Sequence, residues 1–260
     1  MFPLDMLRSL AKLALLATLA AGPIPQHVAF LMDGNRRYAR RLHQQVAVGH
    51  SQGFVTLKRM LKICLFLGVR CVTVYTFSIE NFKRSEDEVG ALMSLIEEKL
   101  MELCQHGGLL DEYSVRLNVL GRTELLHPTV QDAIRKAEDM TRHNDRAILN
   151  VCMPYTARDE ITTAVQSTVR DALSNPEREL EISEKDIEEH LMTSLAGSPP
   201  LDILIRTSGV KRLSDFMLWQ CCEDTQLQFS ETYWPDFGLR EFVPIILDYQ
   251  RKVWQRGDGV

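Results

Sequence analysis

Two short stretches hold residue types that can do chemistry together. In the first, Asp33, Gly34 and Asn35 run straight into Arg36, Arg37, Arg40 and Arg41. In the second, Arg206, Thr207, Ser208, Lys211, Arg212 and Ser214 put three cations and three hydroxyls into nine residues. Guanidinium forks match phosphate oxygens, and hydroxyls fill the remaining lone pairs. One carboxylate among such donors suits a metal-chelated polyanion such as a diphosphate. A solvated loop with a helix cap at Ser214 is the alternative for the second stretch. Its place behind an apolar strand favours the phosphate site. His50, beside Gly49 and just ahead of an expected helix, could cap that helix, pack, or donate to a phosphate. Ser78 and Asn81 are compatible with a turn, and Arg84 adds positive charge nearby.

These residues sit where strands are expected to end. Residues 28–32 form an apolar run of strand length, Asp33-Gly34-Asn35 is a turn signal, and helical propensity begins at Arg36. Helical periodicity marks 51–67, closed by Gly68. A second strand is expected over 71–77, a helix over 88–104, and a third strand over 115–120. Next come a helix over 129–142, a strand over 147–153 and a helix over 159–173. A polar connection covers 175–180. Ser183 and Asp186 resemble a capping box opening a helix that runs to 195. A fifth strand over 201–205, a helix over 213–222, a sixth strand over 226–230 and a helix over 239–254 complete the pattern. Strands alternating with helices predict an α/β fold, with a central, mostly parallel six-stranded sheet flanked by helices. In such a sheet Asp33, Ser78, Tyr155 to Arg158, and Arg206 share the rim at the carboxyl ends of the strands, where ligands bind. The 88–104 helix carries apolar residues on more than one face, which means burial on two sides or one side against an apolar cavity.

The chain has 260 residues, 45% of them hydrophobic and 25% charged, with a net charge of −5. That is the composition of an ordinary globular enzyme, and the acidic balance argues against general nucleic-acid binding. The six cysteines form no C-x-x-C pair and no metal-ligand spacing, and they read as buried thiols in a reducing compartment. No Walker A, G-x-G-x-x-G or H-E-x-x-H pattern occurs. Residues 1–25 form an apolar or amphipathic segment and 26–260 a single catalytic domain. The segment has the general look of a signal peptide. An amphipathic helix that lies on a membrane or caps an apolar cavity fits better with the free cysteines, with a helix simply packed on the domain as the alternative to membrane contact. From the residues alone, a phosphohydrolase with Asp33 as nucleophile is the rival reading, although a D-x-D pair is missing.

Several separate motifs resemble those of the cis-prenyltransferases. They are residues 27–41, the Gly49-His50-Ser51-Gln52-Gly53 run, and the loop 76–84. With them come 202–209, Arg212 to Phe216, Trp219-Gln220 and Trp234-Pro235. The resemblance covers about residues 24 to 250 in unbroken order. Asn35 to Tyr38, and Phe82 before Lys83-Arg84, look like the eukaryotic dehydrodolichyl diphosphate synthase branch, especially its fungal type.

The resemblance implies the cis-prenyltransferase fold with an apolar tunnel, and cis-condensation of several isopentenyl diphosphates onto farnesyl diphosphate. The product would be a long polyprenyl diphosphate, the precursor of dolichol for protein glycosylation. It implies that Asp33 holds Mg²⁺, and that Gly34, Asn35, Arg36, Arg37 and Arg84 bind the allylic diphosphate. Arg206, Arg212 and Ser214 would bind isopentenyl diphosphate. Asp33, Asn35, His50, Ser78 and Asn81 would be the catalytic set, and the 88–104 helix would line the tunnel. The site would lie peripherally on the cytosolic face of the endoplasmic reticulum membrane.

Three positions depart from the bacterial pattern. Gln226 stands where a metal-assisting Glu is usual, and Val46 where a phosphate-binding Arg is usual. Residues 255–259 do not spell the R-x-G motif of single-subunit members. The resemblance therefore implies a heteromer, with a Nogo-B-receptor-like subunit supplying that motif.

Overall fold

The computed structural model describes residues 4–174 and 181–257, so the polar connection at 175–180 lies outside the described residues. Helix α1 (Leu4–Ala20) leads into β1 (His27–Leu31), then α2 (Asn35–Arg41) and α3 (Val46–Leu67). Strand β2 (Cys71–Tyr75) is followed by a 3₁₀ turn (Ile79–Lys83), α4 (Glu86–Cys104) and the short α5 (Leu109–Glu112). After β3 (Val115–Leu120) come α6 (Pro128–Thr141), β4 (Ala147–Cys152) and α7 (Ala157–Ser174). The chain continues through α8 (Glu184–Glu189), α9 (Met192–Leu195), β5 (Ile203–Arg206), β6 (Gln226–Phe229) and α10 (Leu239–Gly257).

All six strands are parallel, in the order β3-β4-β2-β1-β5-β6. Strands β1 and β5 are buried along their whole length, as expected where helices cover both faces. The chain leaves β1 toward β2 on one side and returns to β5 on the other, which opens a crevice at the strands' carboxyl ends. On one face Phe30 packs among Trp234, Phe237 and Phe242, with ring centroids 5.5, 6.3 and 6.1 Å away. On the other, Ala29, Leu31 and Leu204 pack with Tyr155, Phe216 and Met217.

A buried polar seam crosses the sheet and specifies its register. His27 meets the Pro199 carbonyl through Nδ1 at 2.9 Å and the Thr73 hydroxyl through Nε2 at 2.7 Å. Asn150 Nδ2 donates to Thr73 Oγ1 at 3.1 Å and to Ser198 Oγ at 2.8 Å. Asn118 donates to Asn150 at 3.0 Å. Four adjacent strands are joined in this way, and a one-residue slip would leave these groups unpaired.

Three local expectations are corrected. Helix α3 begins at Val46 rather than 51, so His50 lies within a helix instead of ahead of it. Gln45, its N-cap, makes no side-chain cap bond, and tertiary packing sets the start. The expected helix over 213–222 is mostly irregular. Ser214, Asp215 and Met217 have φ of 49, 60 and 47°, and only Trp219–Cys221 turns as a 3₁₀ helix. The capping box at Ser183 and Asp186 forms, but its helix breaks at Leu191, which is extended and buried.

Helix α1 buries Leu16 and Leu19 in the main core, anchored by Gln250 Nε2 donating to the Leu19 carbonyl at 2.7 Å. Leu10, Leu13 and Leu15 remain exposed. Among the described residues no helix is long and apolar enough to cross a membrane.

Burial lowers the His27 pKa to about 4, against the opposing pull of the Pro199 carbonyl. The unfolded chain then binds the proton first, so His27 penalises folding as pH falls from 6.5 toward 4. At the low end this amounts to about 3 kcal/mol. His27→Gln is expected to flatten the fall in melting temperature over that range, measured by calorimetry at stepped pH. An unchanged slope would show that the acid limb arises elsewhere.

Candidate active site

Asp33 leaves β1 beside Arg206, the last residue of β5, because Leu31 and Arg206 are register partners. Thr207 fixes the join: the Asp33 N–H donates to its Oγ1 at 3.0 Å, and that hydroxyl donates to the Asp33 carbonyl at 2.7 Å. Gly34 turns the chain with φ 104°, and a Cβ there would stand 2.8 Å from the Tyr233 ring. Helix α3 approaches so closely that a Cβ on Gly49 would come within 2.2 Å of the Asn35 carbonyl. That contact explains the glycine beside His50.

The side chains then form a charged network. Arg206 Nη2 donates to Asp33 Oδ2 at 2.9 Å, and Arg37 Nη2 lies 3.2 Å from Asp33 Oδ1. Arg206 Nη1 donates to the Arg212 carbonyl at 2.5 Å and to Ser214 Oγ at 2.7 Å. Arg37 also donates to Ser208 Oγ at 2.5 Å. Burial pushes the Asp33 carboxyl up, but hydrogen bonds with Arg206 and Ser208 and the charges of Arg206 and Arg37 outweigh it. They hold the group below the usual carboxylate range. The Arg206 guanidinium is 3% exposed.

On the opposite wall Glu88 Oε1 meets Arg84 at 2.9 Å and Arg36 at 3.4 Å, which ties α2 to α4 across the mouth. Ser78 and Asn81 form a capping box on the 3₁₀ turn and also line the cavity. His50 lines it too, and its Nε2 is buried without a partner. Burial first, then Arg84, lowers its pKa to about 4, so it is neutral at physiological pH. Asn35 Nδ2 donates to the Met32 carbonyl at 3.2 Å, while its Oδ1 is buried and unpaired.

Asp33 to Arg37, Arg40, His50, Ser78, Asn81, Arg84, Arg206, Arg212 and Ser214 border one cavity of about 860 Å³, whereas Arg41, Thr207, Ser208 and Lys211 do not line it. Its mouth holds seven arginines against three carboxylates, Asp33, Glu80 and Asp215. Away from the arginines its lining is mostly apolar, with Phe54, Leu57, Leu92, Ile96, Leu100, Leu103 and Val151 and one cation, Lys99. Helix α4 thus supplies a cavity wall, and its other side faces a smaller groove of about 510 Å³ with Leu126 and Val130. Sequence reasoning missed Glu88 and Asp215, and it named Ser208 only as one of three hydroxyls, not as the partner of Arg37. Glu88 carried one signal, its i+4 spacing from Arg84.

Asp33, paired with two guanidiniums but part-exposed on the cavity wall, is a carboxylate that Mg²⁺ accepts beside phosphate oxygens. Among the described residues no three His, Cys, Asp or Glu side chains cluster as a metal site. Gln226 does not point here; its amide oxygen accepts from Lys252 of α10 at 3.3 Å.

An α/β sheet with an anion-binding mouth above an apolar pocket defines a protein for amphiphilic phosphate esters. Residues 31–257 match the prenyltransferase family model described as "Putative undecaprenyl diphosphate synthase", and the chain belongs to that family of cis-prenyltransferases. It is 48% identical over 233 residues to a dehydrodolichyl diphosphate synthase complex subunit of Schizosaccharomyces pombe. That match covers 90% of this chain and 88% of the relative. It is 44% identical to the corresponding human complex subunit, covering 88% of this chain and 68% of that one. Lavandulyl diphosphate synthase from Lavandula x intermedia, solved with dimethylallyl diphosphate, superposes with a TM-score of 0.78 at 30% identity. That superposition covers 87% of this chain and 95% of that structure.

Asp33→Asn removes the anion that competes for Arg37 and Arg206. Metal-free binding of inorganic diphosphate, measured by calorimetry, is expected to tighten by roughly tenfold, about one half-buried charge interaction. Unchanged or weaker binding would show that these guanidiniums do not face the anion.

Proposed function

We propose that this chain is the catalytic subunit of a dehydrodolichyl diphosphate synthase. It would add isopentenyl units in cis to farnesyl diphosphate, giving a long-chain polyprenyl diphosphate for dolichol. The observation that carries the reading is the single cavity with two arginine-lined half-sites at its mouth and an apolar interior. Residues 26–260 form the catalytic domain in this reading.

Arg36, Arg37 and Arg84, with the backbone from Gly34 to Arg37, hold the allylic diphosphate, and its hydrocarbon lies along α4. Arg206, Arg212 and Ser214 hold isopentenyl diphosphate. Asp33 would hold Mg²⁺, which when bound would supply charge stabilisation for the departing diphosphate. The allylic C–O bond breaks with its electron pair going to diphosphate. The isopentenyl double bond supplies the pair that joins its terminal carbon to the allylic carbon. A proton lost from C2 to the released diphosphate leaves the new double bond. The arginines neutralise the leaving group in advance, and the apolar walls keep water from the cation-like carbon. His50 is neutral and can donate through one ring nitrogen and accept through the other. With Asn35, Ser78 and Asn81 it orients the two esters.

The partner in this reading is a Nogo-B-receptor-like accessory subunit. The names of the fission yeast and human relatives as complex subunits support it. Strand β6 also supports it, as an edge strand with Leu227 and Phe229 exposed, a surface that natural sheets usually cover. Arg256 pairs with Asp224 of the same chain at 3.0 Å. The exposed leucines of α1 suit peripheral docking on the cytosolic face of the endoplasmic reticulum.

Incubation with farnesyl and labelled isopentenyl diphosphates is expected to yield labelled long-chain lipid, at full rate only with the co-purified partner. Asp33→Ala should lower turnover by about 10³-fold or more while the chain stays folded. Orthophosphate release without elongation would favour the phosphohydrolase. Full-rate synthesis of long products by the chain alone would remove the need for a partner.

A further inference from the structure

The loop after β5 carries the proposed isopentenyl site, and its backbone is strained. Ser208, Ser214, Asp215 and Met217 all have φ between 47 and 80°, without being glycine. Such residues persist only where the surroundings over-determine them. The loop is held in part from the site side, where Arg206 grips the Arg212 carbonyl and Ser214 Oγ. Its other support lies beneath. Phe216 is fully buried, stacked on Tyr75 at 4.6 Å and edge-on to Tyr155 at 6.1 Å. The Asp215 carbonyl accepts from the Ala157 N–H at 2.7 Å, and its carboxylate accepts from Arg158 Nε at 2.8 Å.

The base of this support is a carboxylate that the proposed reaction does not use. Glu160 is 1% exposed. Its Oε2 accepts from Tyr155 Oη at 2.5 Å and from Gln220 Nε2 at 3.1 Å, and its Oε1 from the Met192 N–H at 2.9 Å. Gln220 follows the strained segment, and Tyr155 packs against its centre. One buried oxygen therefore ties both. Burying a carboxyl on neutral donors is costly, and an apolar side chain could fill the same space. Tyr155 also has a second connection. Its backbone N–H donates to the Phe77 carbonyl at 3.1 Å, and its carbonyl accepts from Ile79 at 3.4 Å, so its main chain braces the loop of Ser78 and Asn81. Changes confined to its hydroxyl leave that main-chain link in place.

We propose that Glu160 is a positioning residue for the incoming five-carbon diphosphate: through Tyr155 Oη and Gln220 it holds segment 212–217 in the shape that presents Arg212 and Ser214 beside Arg206. The inference rests on the assignment of that loop to isopentenyl diphosphate. Glu160→Gln sets an NH₂ group against at least one of the three donors and removes the charge from the remaining contacts, and Tyr155→Phe deletes one donor while keeping the ring. For both variants of the full chain, with its partner if co-purified, the KM for isopentenyl diphosphate is expected to rise about tenfold. That is the scale of one hydrogen bond to a buried charged group. The KM for the allylic diphosphate should stay within about twofold. The two changes combined should cost little more than either alone. Equal rises in both KM values, or a lower melting temperature with both KM values unchanged, would overturn the proposal. If Glu160→Gln fails to fold, Tyr155→Phe alone decides. Failure of the wild-type chain to elongate any allylic diphosphate would instead refute the functional reading. In that case the loss of inorganic diphosphate binding at Arg206 and Arg212 in Tyr155→Phe still tests the positioning role.

Discussion

The contact between Asp33 and Arg206 is the interaction on which the site depends. A guanidinium 3% exposed must be paired, since an isolated buried charge is too costly to keep. The pairing is forced by the sheet: β1 and β5 are neighbours, Leu31 and Arg206 are in register, and Thr207 closes the gap between the strand ends. Arg206 then has both amino groups committed, one to Asp33 and one to the Arg212 carbonyl and Ser214. The second half-site is thus folded onto the first by one side chain. An incoming diphosphate must exchange with contacts that the protein already makes, so each half-site is preorganised by the other.

The two kinds of environment in the cavity follow from where the chain can place them. The arginines come from the end of β5, from the short helix α2, from the first turn of α7 and from the loops at Arg84 and Arg212. The apolar depth comes from one side of α4 and from α3, whose residues would otherwise pack on each other. Glu88 links these regions. Held by Arg36 and Arg84, it stops two cations on facing elements from repelling each other apart. His50 lies against the same charges and stays neutral, which lets it serve as donor and acceptor beside a polyanion.

Much of this was legible in the residues. The strand-and-helix alternation, the αL glycine after Asp33 and the convergence of four strand ends follow from local patterns and from the geometry of parallel sheets. The region 213–222 was not legible. Leu213, Phe216, Met217 and Leu218 have helical spacing, yet the backbone is left-handed at three positions because Phe216 must stack on Tyr75. Residues 71 to 75 and 216 are far apart in sequence, and no local propensity reports that contact. Glu88 was hidden for the same reason, because its partner Arg36 lies on a helix that meets α4 only in the fold. The start of α3 was misplaced because Gln45 gives no capping signal, and the close approach at Gly49 sets it instead.

The geometry also weighs the two readings of Asp33 against each other. A carboxylate nucleophile needs a lone pair free to attack phosphorus, and its basicity should be high. Here both oxygens face guanidiniums, at 2.9 and 3.2 Å, and the group is held below the usual carboxylate range. Such a group is a weak nucleophile but a good neutraliser of the cations around it. It can also share a divalent cation with a bound diphosphate, where low basicity is no handicap. The cavity adds a second argument. A phosphohydrolase needs water at the reacting atom, whereas this mouth opens onto leucine, isoleucine and phenylalanine side chains. Walls of that kind serve a reaction in which water must be kept out while a carbon chain grows.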